Sequence, residues 1–292
     1  MNFITFNNHI TKSRFCPFNK FIKIYCHFNS FSLQLSGETK MNIEHISVSR
    51  KQCFDTCHAQ YKYRYHLKII SNEPVADHFT YGKIVHKVAE HYVIEKGKKP
   101  IEEIASEILT GKIMLEQDNP SPPLPSQYKK KLPIHLANVK TITDKIGFDG
   151  ELEWEFNYDI DPPNNKKIKG FIDRLIIRGD KFFILDYKTT KQGMWRKNKS
   201  NIGKDLQLRT YGKIIQNHFG AKAENIKAAL FYLEGSEIVS TGFTQESLDS
   251  AQQELIETYD RIVSSDPSLV VGSVGNHCRF CDYRKVCTFY KN

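Results

Sequence analysis

Hydrophobic positions along the chain alternate between two periods. In "YGKIVHKVAEHYVIEKG", Ile84, Val88 and Tyr92 recur every four residues and Gly97 offers a stop, which predicts a helix. Further helices are expected over about 101–117 and 127–146, joined by the Pro/Ser linker "DNPSPPLPS" (Asp118–Ser126). Upstream, Ser47–Ile69 reads as a short helix running into an aromatic, basic stretch. The period then drops to two. "ELEWEFNYDI" alternates Leu152, Trp154, Phe156 and Tyr158, a half-buried strand. "GFIDRLIIRGDKFFILDYKTT" (Gly170–Thr190) follows as two apolar strands around a tight turn. A helix over 203–219, strands in "IKAALFYLE" and "EIVSTGFT", and an amphipathic helix in "QESLDSAQQELIETYDRIVSS" complete the pattern. Three strands, a helix and two more strands predict an α/β layer with extra N-terminal helices and a cysteine-rich C-terminal end.

The hairpin carries charges inside its apolar runs, which is costly unless they are paired or bind a metal. A two-residue Gly179–Asp180 loop suits a type II′ turn with glycine first. Facing residues then have numbers that sum to 359, which opposes Asp173 to Asp186 with Cβ atoms about 5 Å apart. Lys188 lies two residues on and shares that face. Two carboxylates so close repel strongly in a low dielectric. A hard divalent cation, Mg²⁺ or Mn²⁺, resolves the conflict. The lysine can then hold an attacking water or stabilise charge on a phosphate. From the hairpin alone, a structural Asp–Lys pair at a sheet end is the competing reading.

Composition adds a partner class. The 292 residues carry a net charge of +9, with a pI near 9.0, which favours a polyanion such as nucleic acid. Residues 1–40 hold five Lys or Arg and one Glu, so four of the nine net charges sit there and five on the remainder. That segment lacks the apolar core and cleavage site of a secretory signal. It is expected to be either a mis-assigned start, with Met41 as the true first residue, or a disordered tail, in preference to an organelle presequence, since Arg14 is its only arginine. No run reaches the roughly 18 apolar residues of a membrane helix. Seven cysteines, an odd number without a secretory signal, argue for a reducing compartment such as the cytoplasm, with thiols free or metal-bound.

Gly170, Asp173, Asp186, Lys188 and Thr189 resemble, position by position, the G-x-x-D…D-x-K-T signature of the PD-(D/E)XK nuclease superfamily in its RecB-like branch. "YGKIVHKVAEHY" is similar to the branch's G-x-x-x-H helix, and "DLQLRTYGKII" to its Q-x-x-x-Y motif. The resemblance implies a restriction-endonuclease-like mixed central sheet flanked by helices. It implies that His86, Asp173, Asp186 and the Tyr187 carbonyl bind the metal, that Lys188 assists water attack, and that Gln207 and Tyr211 orient the site. Glu153 is a weaker candidate carboxylate, read as a charge on an exposed strand face. "CHAQYKYRY" resembles the early-cysteine segment of RecB-like enzymes that hold a [4Fe–4S] cluster, such as AddB-type helicase–nucleases and CRISPR-associated exonucleases. There Cys57 would join Cys278-x2-Cys281-x5-Cys287, with Cys53 four residues too early. His58 departs from the proline usual in that segment. Four thiolates suit an iron–sulfur cluster or Zn²⁺, and a lone C-x2-C pair favours the cluster. The staple would close one nuclease domain over 41–292.

The function implied is a Mg²⁺- or Mn²⁺-dependent DNA nuclease, an exonuclease in preference to an endonuclease. Single-stranded DNA or DNA ends would be its partner. Tyr61, Tyr63 and Tyr65 interleave with Lys62 and Arg64, and Arg279, Arg284, Lys285 and Lys291 surround the cysteines, in keeping with a single strand. No G-x-x-x-x-G-K-[ST] motif is present, so any helicase would be a separate subunit. The alternatives are a CRISPR-adaptation trimming nuclease and a non-catalytic metal-cluster DNA-binding module.

Overall fold

The computed structural model describes residues 40–71, 76–116, 120–191, 193 and 196–290. The expected extension, save Lys40, lies outside the described residues, as do Asp118, Asn119 and Lys291.

Ahead of the first helix, Ile46 bridges to the strand β2 (Lys166–Arg178), donating to Lys167 O at 2.8 Å and accepting from Lys169 N at 3.1 Å. Ser47 then caps α1 (Val48–Thr56) by accepting from Arg50 N at 3.2 Å. α2 (His58–Tyr61) continues into a π-helical turn, Lys62–His66. α3 (Asp77–Ile94) and α4 (Ile101–Leu109) follow. α4 is shorter than the spacing predicts, because Gly111 adopts φ +77° and turns the chain. The helix expected over 127–146 is two: α5 (Ser126–Lys129) and α6 (Leu132–Ile146). Pro133 lies in the first turn of α6, where its missing N–H is harmless, and it starts a helix more readily than it continues one.

Five strands form one sheet: β1 (Glu151–Asp161), β2 (Lys166–Arg178), β3 (Lys181–Lys188), β4 (Ile226–Tyr232) and β5 (Glu237–Gly242). They lie in chain order, antiparallel except for the parallel pair β3–β4. A parallel pair needs a crossover; α7 (Leu206–Phe219) lies in it, capped by Asp205. α8 (Gln245–Ser264) follows β5 behind a Thr244–Ser247 capping box. This is the mixed, helix-flanked sheet that the motifs imply.

Helices cover both faces, which is why β3 and β4 are apolar nearly throughout. On one face, residues of α1, α7 and α8 pack with Phe156, Ile168, Ile184 and Leu230. On the other, α3, α4 and α6 pack with Leu185, Tyr187 and Phe231. Asp186 and Lys188 follow the parity of Ile184, toward α7.

Two local features open the sheet. The hairpin turns as expected: Gly179 has φ +62°, and the 359 register runs from Arg178↔Lys181 to Arg174↔Leu185. It stops one rung short of Asp173 and Asp186. On the other side of β2, Leu152↔Arg174 and Trp154↔Ile172 pair while Glu153 between them sits at φ +45°, a region unfavourable to glutamate. The in–out alternation slips there, so that Ile172 and Leu175 both reach the α7–α8 core. Gly170 lies under the Phe156 ring; a Cβ would meet its Cζ at 2.5 Å.

Candidate active site

Asp173 and Asp186 meet at the open end of β2 and β3, but not as facing partners. Asp173 Oδ2 accepts the Tyr187 N–H at 2.8 Å. The carboxylate thus replaces the last rung of the ladder, which is why the pairing expected from register arithmetic does not form. Asp173 Oδ2 also lies 3.3 Å from His86 Nδ1, delivered by α3. Asp186 is 2% exposed, and Lys188 Nζ lies 2.6 Å from its Oδ2. The approach satisfies an ion pair but not hydrogen-bond direction, so Oδ2 stays buried without a hydrogen-bond partner. Lys188 also donates to Gln207 Oε1 at 3.2 Å, and Gln207 Nε2 donates to Tyr211 OH at 2.7 Å. The four-residue spacing of Gln207 and Tyr211 puts both on one side of α7. Thr189 stands beside Gly82, whose ideal Cβ would lie 3.6 Å from the Thr189 hydroxyl.

Glu153 belongs to this site. A carboxylate oxygen of Glu153, one of Asp173 and a ring nitrogen of His86 lie within 4.8 Å of one another. Glu153 is exposed, as the strand pattern implies, yet it stands beside His86 and Asp173. Alternation assigns Glu153 outward along with Glu151 and Glu155, and only the left-handed backbone at that position distinguishes it. Arg174 carries no signal in the sequence beyond being a charge in an apolar run. It is fully buried and donates to the carbonyls of Gly147 (2.5 Å) and Asp149 (2.8 Å), fastening the entry to β1 beside Glu153.

The charges are unequal in character. Burial pushes the Asp186 carboxyl up to about 6, with Asp173 adding to the effect against the pull of Lys188. Burial acts the same way on Asp173, but the His86 and Lys188 charges and the Tyr187 N–H hold it below the usual range. Burial disfavours the His86 cation, yet the Asp173 carboxylate outweighs it and lifts His86 to about 9. Glu153 is solvent-exposed by area, but the cleft wall and Asp173 raise it to about 7. One carboxylate is held ionised while its neighbours titrate near neutrality. The Glu153, Asp173 and Asp186 carboxylates, the last with a buried oxygen that makes no hydrogen bond, fit an oxygen-seeking cation such as Mg²⁺ or Mn²⁺, with the borderline His86 nitrogen beside them. The Tyr187 phenol lies on the opposite face, and its peptide borders the site through the Asp173 bond.

Outside this centre, Cys57, Cys278, Cys281 and Cys287 line one pocket, and Cys53 does not. Cys53 is buried below it, and burial pushes its thiol up to about 12. The Gly275 N–H points at Cys278 Sγ, 3.4 Å away. The tyrosine ladder is not an open stacking platform. Tyr61 is fully buried, Tyr63 packs on Tyr283 at 5.8 Å, and Arg64 pairs with Asp282. These side chains tie the segment after α2 to the cysteine end.

A sheet of this topology with a carboxylate–lysine centre at its open end defines a class, and residues 45–288 match the family model of the PD-(D/E)XK nuclease superfamily. The chain belongs to that superfamily. A solved structure from Eubacterium rectale that carries the name "Putative exonuclease" is similar in fold: TM-score 0.51, 16% identity, over 85% of this chain and 90% of that one. A second, SSO0001, shares 17% identity over 79% of this chain and 94% of its own, with a TM-score of 0.35. No curated protein matches the chain. Among the described residues, no helix is long and apolar enough to cross a membrane.

Proposed function

We propose that this nuclease is a Mg²⁺- or Mn²⁺-dependent deoxyribonuclease that works from DNA ends. The observation that carries the reading is the gathering of His86, Glu153 and Asp173 within 4.8 Å of one another, with the buried Asp186 and its Lys188 partner on the adjoining strand. When bound, the cation supplies Lewis-acid polarisation of a phosphoryl oxygen and lowers the pKa of an adjacent water. Asp173 and Asp186 would hold it, and His86 and Glu153 would complete the donor set. Lys188, steered by Gln207, places an ammonium where negative charge grows as water oxygen bonds to phosphorus and the P–O ester bond breaks. Tyr211 fixes Gln207. The end preference rests on the name of the Eubacterium rectale neighbour and on the branch resemblance.

The four cysteines are read as the ligands of a [4Fe–4S] cluster that staples residue 57 to the C-terminal segment. The lone C-x2-C pair, where zinc knuckles come in pairs, favours the cluster over Zn²⁺. Digestion of end-labelled linear DNA beside closed circular DNA tests the function. Mononucleotides released from linear DNA, with the circle intact, are expected. Nicking of the circle would contradict the end preference, and no metal-dependent cleavage of either would contradict the nuclease.

A further inference from the structure

We infer that Arg196 is a positioning residue for the reaction: it clamps the exits of β3 and β4 together and so fixes where the Lys188 ammonium stands, which rests on the nuclease reading above. Lys188 is the last residue of β3. It lies beside Tyr232 in the parallel β3–β4 register, and its carbonyl accepts the Leu233 N–H at 2.9 Å. Residues paired in this way stand about 4.8 Å apart on one face of the sheet. Tyr232 is buried there, in the core toward α7. The Lys188 ammonium is held in turn by Asp186 and Gln207. Where that ammonium points therefore depends on the last rung of β3, and the rung depends on what pins the chain after it.

Arg196 is the pin. Its side chain is 7% exposed. Nε and Nη2 both donate to the Thr190 carbonyl, at 3.2 and 2.9 Å, and Nε also donates to the Lys191 carbonyl at 3.2 Å. Nη2 donates as well to the Glu234 carbonyl, in the turn that follows β4. The guanidinium lies 4.6 Å from the centre of the Tyr232 ring. One planar group thus ties the chain just past Lys188 to the far end of β4. Lys197 extends the clamp. Its N–H donates to the Tyr232 hydroxyl at 2.8 Å, and its ammonium lies 3.6 Å from Asp205, the cap of α7 two residues ahead of Gln207. The strand that carries Lys188 and the helix that carries Gln207 are therefore both fastened from this dipeptide. A guanidinium suits the seat, because its rigid fork serves several carbonyls at once where a lysine offers a point charge. Its partners are carbonyls, the Tyr232 ring and the Glu237 carboxylate at 3.4 Å, none of them a metal donor. It acts on the chemistry only through Lys188.

The test follows hydrolysis of bis(p-nitrophenyl) phosphate with saturating Mn²⁺, and hydrogen exchange in the metal-free protein. Arg196→Ala should lower kcat about tenfold, with KM and Mn²⁺ affinity within about twofold of wild type. In a Lys188→Ala background the same substitution should cost nothing further, because the group it places is gone. Exchange should quicken in peptides covering 187–191 and 202–208 and stay unchanged in α3 and β1. Lys166→Ala removes another buried cation, bonded to Asp260 at 2.8 Å, and should leave kcat within about twofold of wild type. Should Arg196→Ala not fold, Tyr232→Phe deletes only the hydroxyl that receives the Lys197 N–H and should lower kcat about threefold, again only while Lys188 is present. Wild-type kcat in the variant, a further loss of about tenfold in the Lys188→Ala background, or unchanged exchange at 187–191 would overturn the positioning role. Absence of metal-dependent hydrolysis by the wild type would instead sink the nuclease reading, while hydrogen exchange still decides the clamp.

Discussion

The carboxylate centre and the cysteine end, both proposed to hold metal, gather their side chains by opposite means. At the centre every donor stands on an α-helix or β-strand and already has a charged neighbour. The His86 and Lys188 cations sit against Asp173 and Asp186, so the metal-free site is internally compensated. The cysteine end has no such frame. Cys278 lies in a short 3-10 turn and Cys281 and Cys287 beyond it, among exposed Val274, Phe280 and Val286. Side-chain ties back to the segment after α2, such as Arg64–Asp282 and the Tyr283 hydroxyl on the Ile69 carbonyl at 3.3 Å, hold it. Loss of metal should therefore silence the first region without unfolding it, and unfold the second without abolishing the chemistry of the first.

The largest effect expected is from Asp173→Ala. This aspartate both serves the site and caps the Tyr187 N–H. Hydrolysis should fall by about a thousandfold and stability by about 1–3 kcal/mol, read from kcat and denaturant unfolding. A stable but inactive variant would show that the cap matters less than its geometry suggests. Cys57→Ser comes next. It should lower the midpoint of unfolding by several degrees and increase hydrogen exchange in 268–290. Hydrolysis of bis(p-nitrophenyl) phosphate should stay within about twofold of wild type. Parallel loss of both readouts would erase the contrast between the two regions.

Protons sharpen the comparison. In the metal-free centre, Asp186 and Glu153 are raised to about 6 and about 7, and His86 to about 9. Below its own value each carries a proton that a cation must displace, so Mn²⁺ affinity should climb from pH about 5 to 9 with measurable proton release in calorimetry. The His86–Asp173 pair has the opposite sign for folding. Because His86 is raised, its contribution is full below about 6.5 and lost as pH rises through about 9, so the metal-free protein should lose stability over that interval. Glu153→Gln should cut Mn²⁺ affinity about tenfold and flatten the pH slope near 7. The smallest change expected is from Gln207→Ala, which frees the Lys188 ammonium. It should lower kcat about threefold to tenfold and leave Mn²⁺ affinity unchanged.

Much of the architecture was legible because its signals are local. The switch from four-residue to two-residue periodicity locates the helices before β1, and Gly179–Asp180 sets the hairpin register. Asp173, Asp186, Lys188, His86, Gln207 and Tyr211 gather as the motif order implies, since each sits on an element that local pattern defines. The misses arise where tertiary geometry overrides pattern. Glu153 alternates like any exposed strand residue, and its role depends on one left-handed φ. Arg174 looks like a flaw in an apolar run, yet two backbone carbonyls from another part of the chain hold it. The Asp173–Asp186 rung fails because a carboxylate competes with a carbonyl for the Tyr187 N–H, a choice that register arithmetic does not contain. Tyr61 and Tyr63 resemble a stacking surface in sequence and become packing once Tyr283 folds back.

The most direct test is a comparison of purified wild type and Asp186→Asn on linear DNA with Mn²⁺, with Mn²⁺ binding measured in parallel. The wild type should degrade the DNA. The variant should remain folded, bind Mn²⁺ at least tenfold more weakly and show no cleavage above the metal-free background. Cleavage by the variant at the wild-type rate, or by the wild type without any divalent cation, would contradict the account.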